Sequence, residues 1–210
     1  NNSMNISTII IIALNLLLTG LFLLGVKKDT ELNFQITISD LMQISMGVII
    51  NVTILNFYRE SMIPMIFLSV GLSYLLIAAY MDQKCMSVFV FPGYVLLFIG
   101  IALESLLNGE FSFFIMFVFL LPITLGILNA FGRGDIPMCM VFAGAFYLYS
   151  MNLAESLIAT CIMILIAEVF FIIKAVKEKN MKNPFCLKCK APLGPSILLA
   201  TYVMLIIPKL

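Results

Sequence analysis

Read as apolar and polar positions, the chain is a succession of long hydrophobic runs broken by short polar ones. Crossing a bilayer takes about 20 consecutive apolar residues. Eight runs approach or reach that length: 5–26, 40–57, 62–81, 88–107, 111–131, 136–152, 153–174 and 193–208. The sixth and eighth are short. The pattern predicts an all-α polytopic membrane bundle of about eight transmembrane helices. The longest connections, 27–39 and 175–192, leave no room for a sizeable soluble domain, so residues 1–210 read as one integral-membrane domain.

Composition agrees with the pattern. Hydrophobic residues make up 62% of the 210 and charged residues 11%, where a soluble domain carries about a quarter charged. Mean hydropathy is +1.13. The net charge of +1 comes with no basic stripe interleaved with aromatics, so nucleic acid is not an expected partner. Membrane lipid is, and the many Phe and Met residues read as lipid-facing or packing surface. Asn1-Asn2-Ser3, ahead of Met4, are consistent with an expression scar. The first run has its lysines after it rather than before it, which suggests a retained span rather than a signal peptide.

Charge sets an expected orientation. Alternating the eight runs puts Lys27, Lys28, Lys84, Arg133, Lys174, Lys177, Lys179, Lys182, Lys188 and Lys190 in one set of loops, ten of the twelve basic residues. Arg59 and Lys209 fall in the other. The positive-inside rule then places the first set in the cytoplasm and both termini outside.

Histidine is absent, which excludes Ser-His and Cys-His nucleophile pairs and HExxH zinc sites within the chain. Carboxylates remain. Asp135 follows Gly132-Arg133-Gly134 at the junction of the fifth and sixth runs. Asp and the following Pro137 suit a helix start, so capping alone would explain it. Asp40, after Ser39, reads as a cap of the second run. Asp82 ends the third run, where a negative charge opposes the helix dipole; the plain alternative is a solvated residue beside Lys84. Asp82 and Asp135 fall on the same expected side of the membrane. Two carboxyls sharing a site cannot both ionise cheaply, so one retains a proton; such a pair can activate water and protonate a leaving group. Glu168, the acid deepest in a run, would either support that pair from the bundle or reach toward Lys174. Glycines 132 and 134 read either as a helix end or as flexible backbone beside an extended substrate. Cys186-Leu187-Lys188-Cys189 is a lone CxxC; a zinc site drawn from Cys85, Cys186 and Cys189, with Cys139 nearby, is a minor alternative to reduced thiols. Cys161 reads as packing.

Gly132-Arg133-Gly134-Asp135 resembles the Gly-x-Gly-Asp signature of the GxGD intramembrane aspartyl proteases. Within that group the chain is similar to the type IV prepilin peptidases, or leader peptidases. Three features carry the likeness: Phe91-Pro92-Gly93-Tyr94 after the first aspartate, two runs between aspartates 53 positions apart, and Ala191-Pro192-Leu193-Gly194-Pro195 opening the last helix. They span about residues 70 to 205. Two runs between the aspartates speak against presenilin and signal peptide peptidase. Departures exist: Pro137 stands where the family usually has Lys, an Ile-Pro-Asn segment is missing, and residues 27–39 are too short for the paired-CxxC domain associated with N-methylation. Methyl transfer is therefore not carried over.

The resemblance implies an aspartic endopeptidase of the bacterial cytoplasmic membrane, cutting short basic leaders from pilin-like precursors on the cytoplasmic side. Asp82 and Asp135 would be catalytic. Gly132, Gly134, Gly194 and Pro195 would shape the cleft, and no metal or organic cofactor would be needed. The type IV pilus and protein secretion are the corresponding settings; oligomeric state stays open. Two rivals stand beside this reading. A small transporter or channel would use the two acids as a proton or cation site, and a noncatalytic scaffold would tolerate loss of either aspartate.

Overall fold

The computed structural model describes residues 2–28, 36–58, 62–86, 88, 90–108, 134–150, 152–177 and 192–207. These form seven helices: α1 (Asn2–Lys28), α2 (Ile38–Phe57), α3 (Met62–Cys85), α4 (Val90–Asn108), α5 (Asp135–Ser150), α6 (Leu153–Lys177) and α7 (Gly194–Ile206). Each matches one of the expected runs within a few residues. The remaining expected run, 111–131, lies outside the described residues. Four helices are long and apolar enough to cross a membrane, at Ile9–Val26, Ile38–Phe57, Ile63–Cys85 and Ala154–Lys174. Val90–Leu103, Asp135–Leu148 and Gly194–Ile206 are shorter apolar helices. The chain is a helical membrane protein.

Proline marks helix starts. Pro64, Pro92 and Pro137 each stand third in α3, α4 and α5, and Pro195 stands second in α7. In a first turn the missing N–H leaves no ladder bond unmade. Elsewhere polar side chains do the capping. Thr37, not Asp40, is the N-cap of α2: its hydroxyl accepts from Asp40 N–H, and Asp40 reaches back to Thr37 N–H at 2.7 Å. The expectation for Asp40 is corrected by three positions, because the acid serves as the far arm of a capping box. Asn152 caps α6, accepting from Ala154 N–H at 3.0 Å.

α3 is the centre of the bundle. It packs against α1, α2, α4, α5 and α7, and 83% of its apolar window is buried, against 22–39% for the other three long helices. Those others turn one face outward, as lipid allows. Cys161 on α6 belongs to that outer surface and is exposed, which corrects its reading as a packing residue. Small residues let helices approach α3 closely: Gly47 of α2 packs on Leu76, and a side chain at Gly71 would meet Val141 of α5 at 3.0 Å. Buried polar groups link the helices. Tyr202 of α7 donates to Asn51 of α2 at 2.8 Å, Asn15 of α1 donates to the Ser69 carbonyl of α3 at 3.3 Å, and Ser156 of α6 donates to the Ala143 carbonyl of α5 at 3.1 Å.

These contacts fix direction. Asn15 with Ser69, and Phe22 with Tyr74 at a 6.1 Å ring separation, make α1 and α3 parallel. Lys84, at the end of α3, bonds Asp40, at the start of α2, so those two are antiparallel. The C-terminal end of α3 is thus shared with the starts of several helices.

Candidate active site at the end of α3

The apolar run of α3 stops at Met81, but the helix does not. It continues through Asp82, Gln83 and Lys84 to Cys85 and is closed by Met86, whose φ of 51° takes the left-handed conformation. Met86 N–H bonds the Asp82 carbonyl at 2.9 Å. Asp82 therefore sits in the last turns of the helix, and the helix runs about one turn beyond the expected bound at residue 81. The physical reason is that Gln83 and Lys84 face out and can end a helix beyond the apolar slab. Asp82 itself is turned inward and only 8% exposed.

Besides α2, three helices begin along the C-terminal half of α3. α7 starts against Asp82: Gly194 N–H donates to Asp82 Oδ2 at 2.7 Å, and the Leu193 backbone bonds the same carboxyl. No side chain within α7 caps its first turn, so Asp82 satisfies those donors from another helix. The approach depends on glycine. A Cβ on Gly194 would stand 3.0 Å from Asp82 Oδ2 and 3.2 Å from the Ala79 Cα. α5 starts at Asp135, also 8% exposed; the preceding Gly134 lies against Val88, just past the end of α3, where a Cβ would be 2.6 Å from the valine Cβ. α4 starts beside α5, and a Cβ on Gly93 would lie 2.7 Å from Pro137 and 2.6 Å from the Tyr74 hydroxyl of α3.

The two aspartates are at the same end of facing, antiparallel helices. With Gly71 opposite Val141, Asp135 is level with about residue 77 of α3, roughly 7 Å along the axis from Asp82. Helical side chains lean toward their own N-terminus. In an antiparallel pair the two carboxyls therefore lean toward each other, and the lean closes part of that gap. Around them lie three helix N-termini, each the positive end of a dipole. Such a setting favours negative charge. Lys174, in the last turn of α6, is the cation whose charge acts on Asp82.

The remaining expected residues divide. Gly134, Gly194 and Pro195 are at this end, as described. Glu168 on α6 is half-buried, and its charge reaches Cys139, one turn after Asp135. Cys85 ends α3 and is half-buried; Cys139 is fully buried. Gly132, Cys186 and Cys189 lie outside the described residues. Among the described residues no group of three or more His, Cys, Asp or Glu is arranged to hold a metal ion.

Tyr74 escapes a reading of the sequence. It lies two turns before Asp82 on the same stripe of α3, is 1% exposed, and its hydroxyl has no partner among the described residues. The hydroxyl sits where α3, α4 and α5 meet, within reach of the Asp135 charge. The only available signal was a tyrosine within an apolar run, which the sequence shares with lipid-facing aromatics.

No protein-family model matches the chain, and neither a curated protein nor a solved structure matches it. The described residues of this membrane protein are all-helical, and two buried carboxylates share one end of the bundle.

Proposed function

We propose that the protein is an aspartic endopeptidase of the membrane, of the prepilin-peptidase type, with Asp82 and Asp135 as its catalytic pair. The observation that carries the reading is the burial of two carboxylates at one end of the facing helices α3 and α5, ringed by the starts of α4, α5 and α7. Its support from sequence is the Gly-Arg-Gly-Asp junction at 132–135.

The chemistry follows from the pair. One carboxylate takes a proton from water, which attacks the peptide carbonyl. The other carboxyl, protonated, donates to the carbonyl oxygen; as the C–N bond breaks, the first carboxyl passes the proton it took from water to the leaving amine, and the second recovers a proton from a hydroxyl of the tetrahedral intermediate. The pair titrates as a unit, so neither residue has a fixed role. The helix N-termini favour the negative charge that this cycle carries. The site opens toward the cytoplasm on the positive-inside count, where a precursor with a short basic leader and one hydrophobic helix would present the junction between them. The pilin-like precursors of pilus and secretion systems have that form.

A cation site for transport fits less well. Asp82 Oδ2 accepts from the start of α7, and the positive end of a helix dipole repels a cation.

Purified protein in detergent, incubated with a prepilin-like precursor, tests the activity. The expected product is shortened by the leader, with its new N-terminus at the leader–helix junction. A cut inside the hydrophobic helix, or no cut across precursors of differing leader sequence, contradicts the proposal.

A further inference from the structure

Beside Asp82 a groove of about 280 Å³ runs between α2, α3 and α7. We propose that this groove seats the hydrophobic helix of the precursor, with the scissile junction at its Asp82 end; the proposal rests on the peptidase reading.

One end of the groove adjoins the site through the neighbours of Asp82 and Gly194. Its walls there are Ala79, Tyr80 and Gln83, which surround Asp82 on α3, and Pro195, next to the glycine bonded to Asp82. From that end it follows α2 from Gln43 to Ile50 and α7 from Pro195 to Tyr202. Seven residues on each wall make roughly two helical turns, about 10 Å. That length takes anchors at i, i+3 or i+4, and i+7 of one docked helix.

The lining suits a peptide rather than an acyl chain. Gln43 and Gln83 are exposed at the mouth, where a docked helix would begin. The first four N–H groups of a helix have no partner within it, and glutamine amides can accept from them. An acyl chain offers no such groups. Asp40, one turn from Gln43, adds a carboxylate beside the path of a basic leader. It is bonded to Lys84, which a leader cation can replace. Deeper in, Gly47 keeps the floor low, while Met46 and Leu199 present exposed apolar walls.

A second groove, of about 510 Å³, lies on the other face of α2, against α1. It is larger, but its walls come from α1 and α2 alone and none adjoins Asp82. Neighbouring residues of α2 separate the two: Met46 lines the groove beside the site and Ser45 the groove against α1.

A photocrosslinking amino acid at Met46 or at Ser45, each in the full chain carrying Asp135→Asn, reads the occupant directly with a prepilin-like precursor. The adduct is expected at 46, roughly tenfold over 45. Kinetics give a second reading in the otherwise native chain: Met46→Trp raises KM for the precursor roughly tenfold with kcat held, and Ser45→Trp changes neither. A precursor that is cut by the wild type but crosslinks at 45, equally at both positions, or at neither, overturns the groove and leaves the peptidase reading intact. A precursor that crosslinks at 46 but is never cut retains the groove and overturns the peptidase reading.

Discussion

At Asp82 a carboxylate opposes the dipole of the helix that carries it, since α3 ends three residues later at Cys85. The opposition is offset by a different helix, whose first N–H groups it accepts. Removing the acceptor strands those donors in a buried place, and one such loss costs about 1–3 kcal/mol. Asp82→Ala is therefore expected to lower the melting temperature in detergent. Asp82→Asn, which keeps a carbonyl oxygen, lowers it less while still removing the charge. Gly194→Ala is the complementary test. Its Cβ would press on Asp82 and on the Ala79 backbone, and overpacking of this kind costs about 1–3 kcal/mol. Gly20→Ala, with nothing within 4 Å, gains about 0.5–1 kcal/mol as a helix-interior glycine. Equal effects at 194 and 20 would contradict the close approach of α7 to α3. The sequence marks Asp82 as badly placed for its own helix. Its partner was not legible there, because a backbone N–H 112 positions away carries no side-chain signature.

At the scale of elements, hydrophobic runs gave the helices and left their ends unsettled. α3 outlasts its apolar run because helix formation needs satisfied backbone groups, not apolar side chains, once the chain leaves the lipid. The cap of α2 is ambiguous in the sequence for a related reason: an acid at N3 and a hydroxyl at N-cap cooperate, and either alone looks sufficient. Contacts between elements are less legible still. Tyr202 and Asn51 join α7 to α2 at 2.8 Å, and the Asn51 amide nitrogen has no partner among the described residues. Tyr202→Phe leaves the amide oxygen without this donor too, and is expected to cost about 1–2 kcal/mol by detergent unfolding. The double variant Asn51→Leu with Tyr202→Phe recovers part of that loss, since an apolar pair leaves nothing unsatisfied. Additive losses would show that the two residues do not interact.

For the molecule as a whole, the described helices share one arrangement: α1, α3 and α6 end where α2, α4, α5 and α7 begin. Three sequence motifs, at Pro92-Gly93, Gly134-Asp135 and Leu193-Gly194-Pro195, are all helix starts gathered along the C-terminal half of α3. Their meeting was suggested by counting runs, since an even number of crossings returns the chain to the same side. The grooves flanking α2 were not legible, because they depend on the tilt and spacing of helices. The orientation argued from lysines predicts that Gln83→Cys, in a chain without other cysteines, reacts with a membrane-impermeant maleimide only after cells are opened. Labelling in intact cells would put the site on the outer face.

If Asp82 and Asp135 act as one catalytic unit, they fail together. The decisive comparison is the rate of precursor cleavage by the wild type, by Asp82→Asn, by Asp135→Asn and by the double variant, with folding checked by thermal unfolding. A unit is lost with either member, so each single variant is expected to fall by at least ~10³-fold and the double no further. A folded single variant that cuts at the wild-type rate would contradict the account.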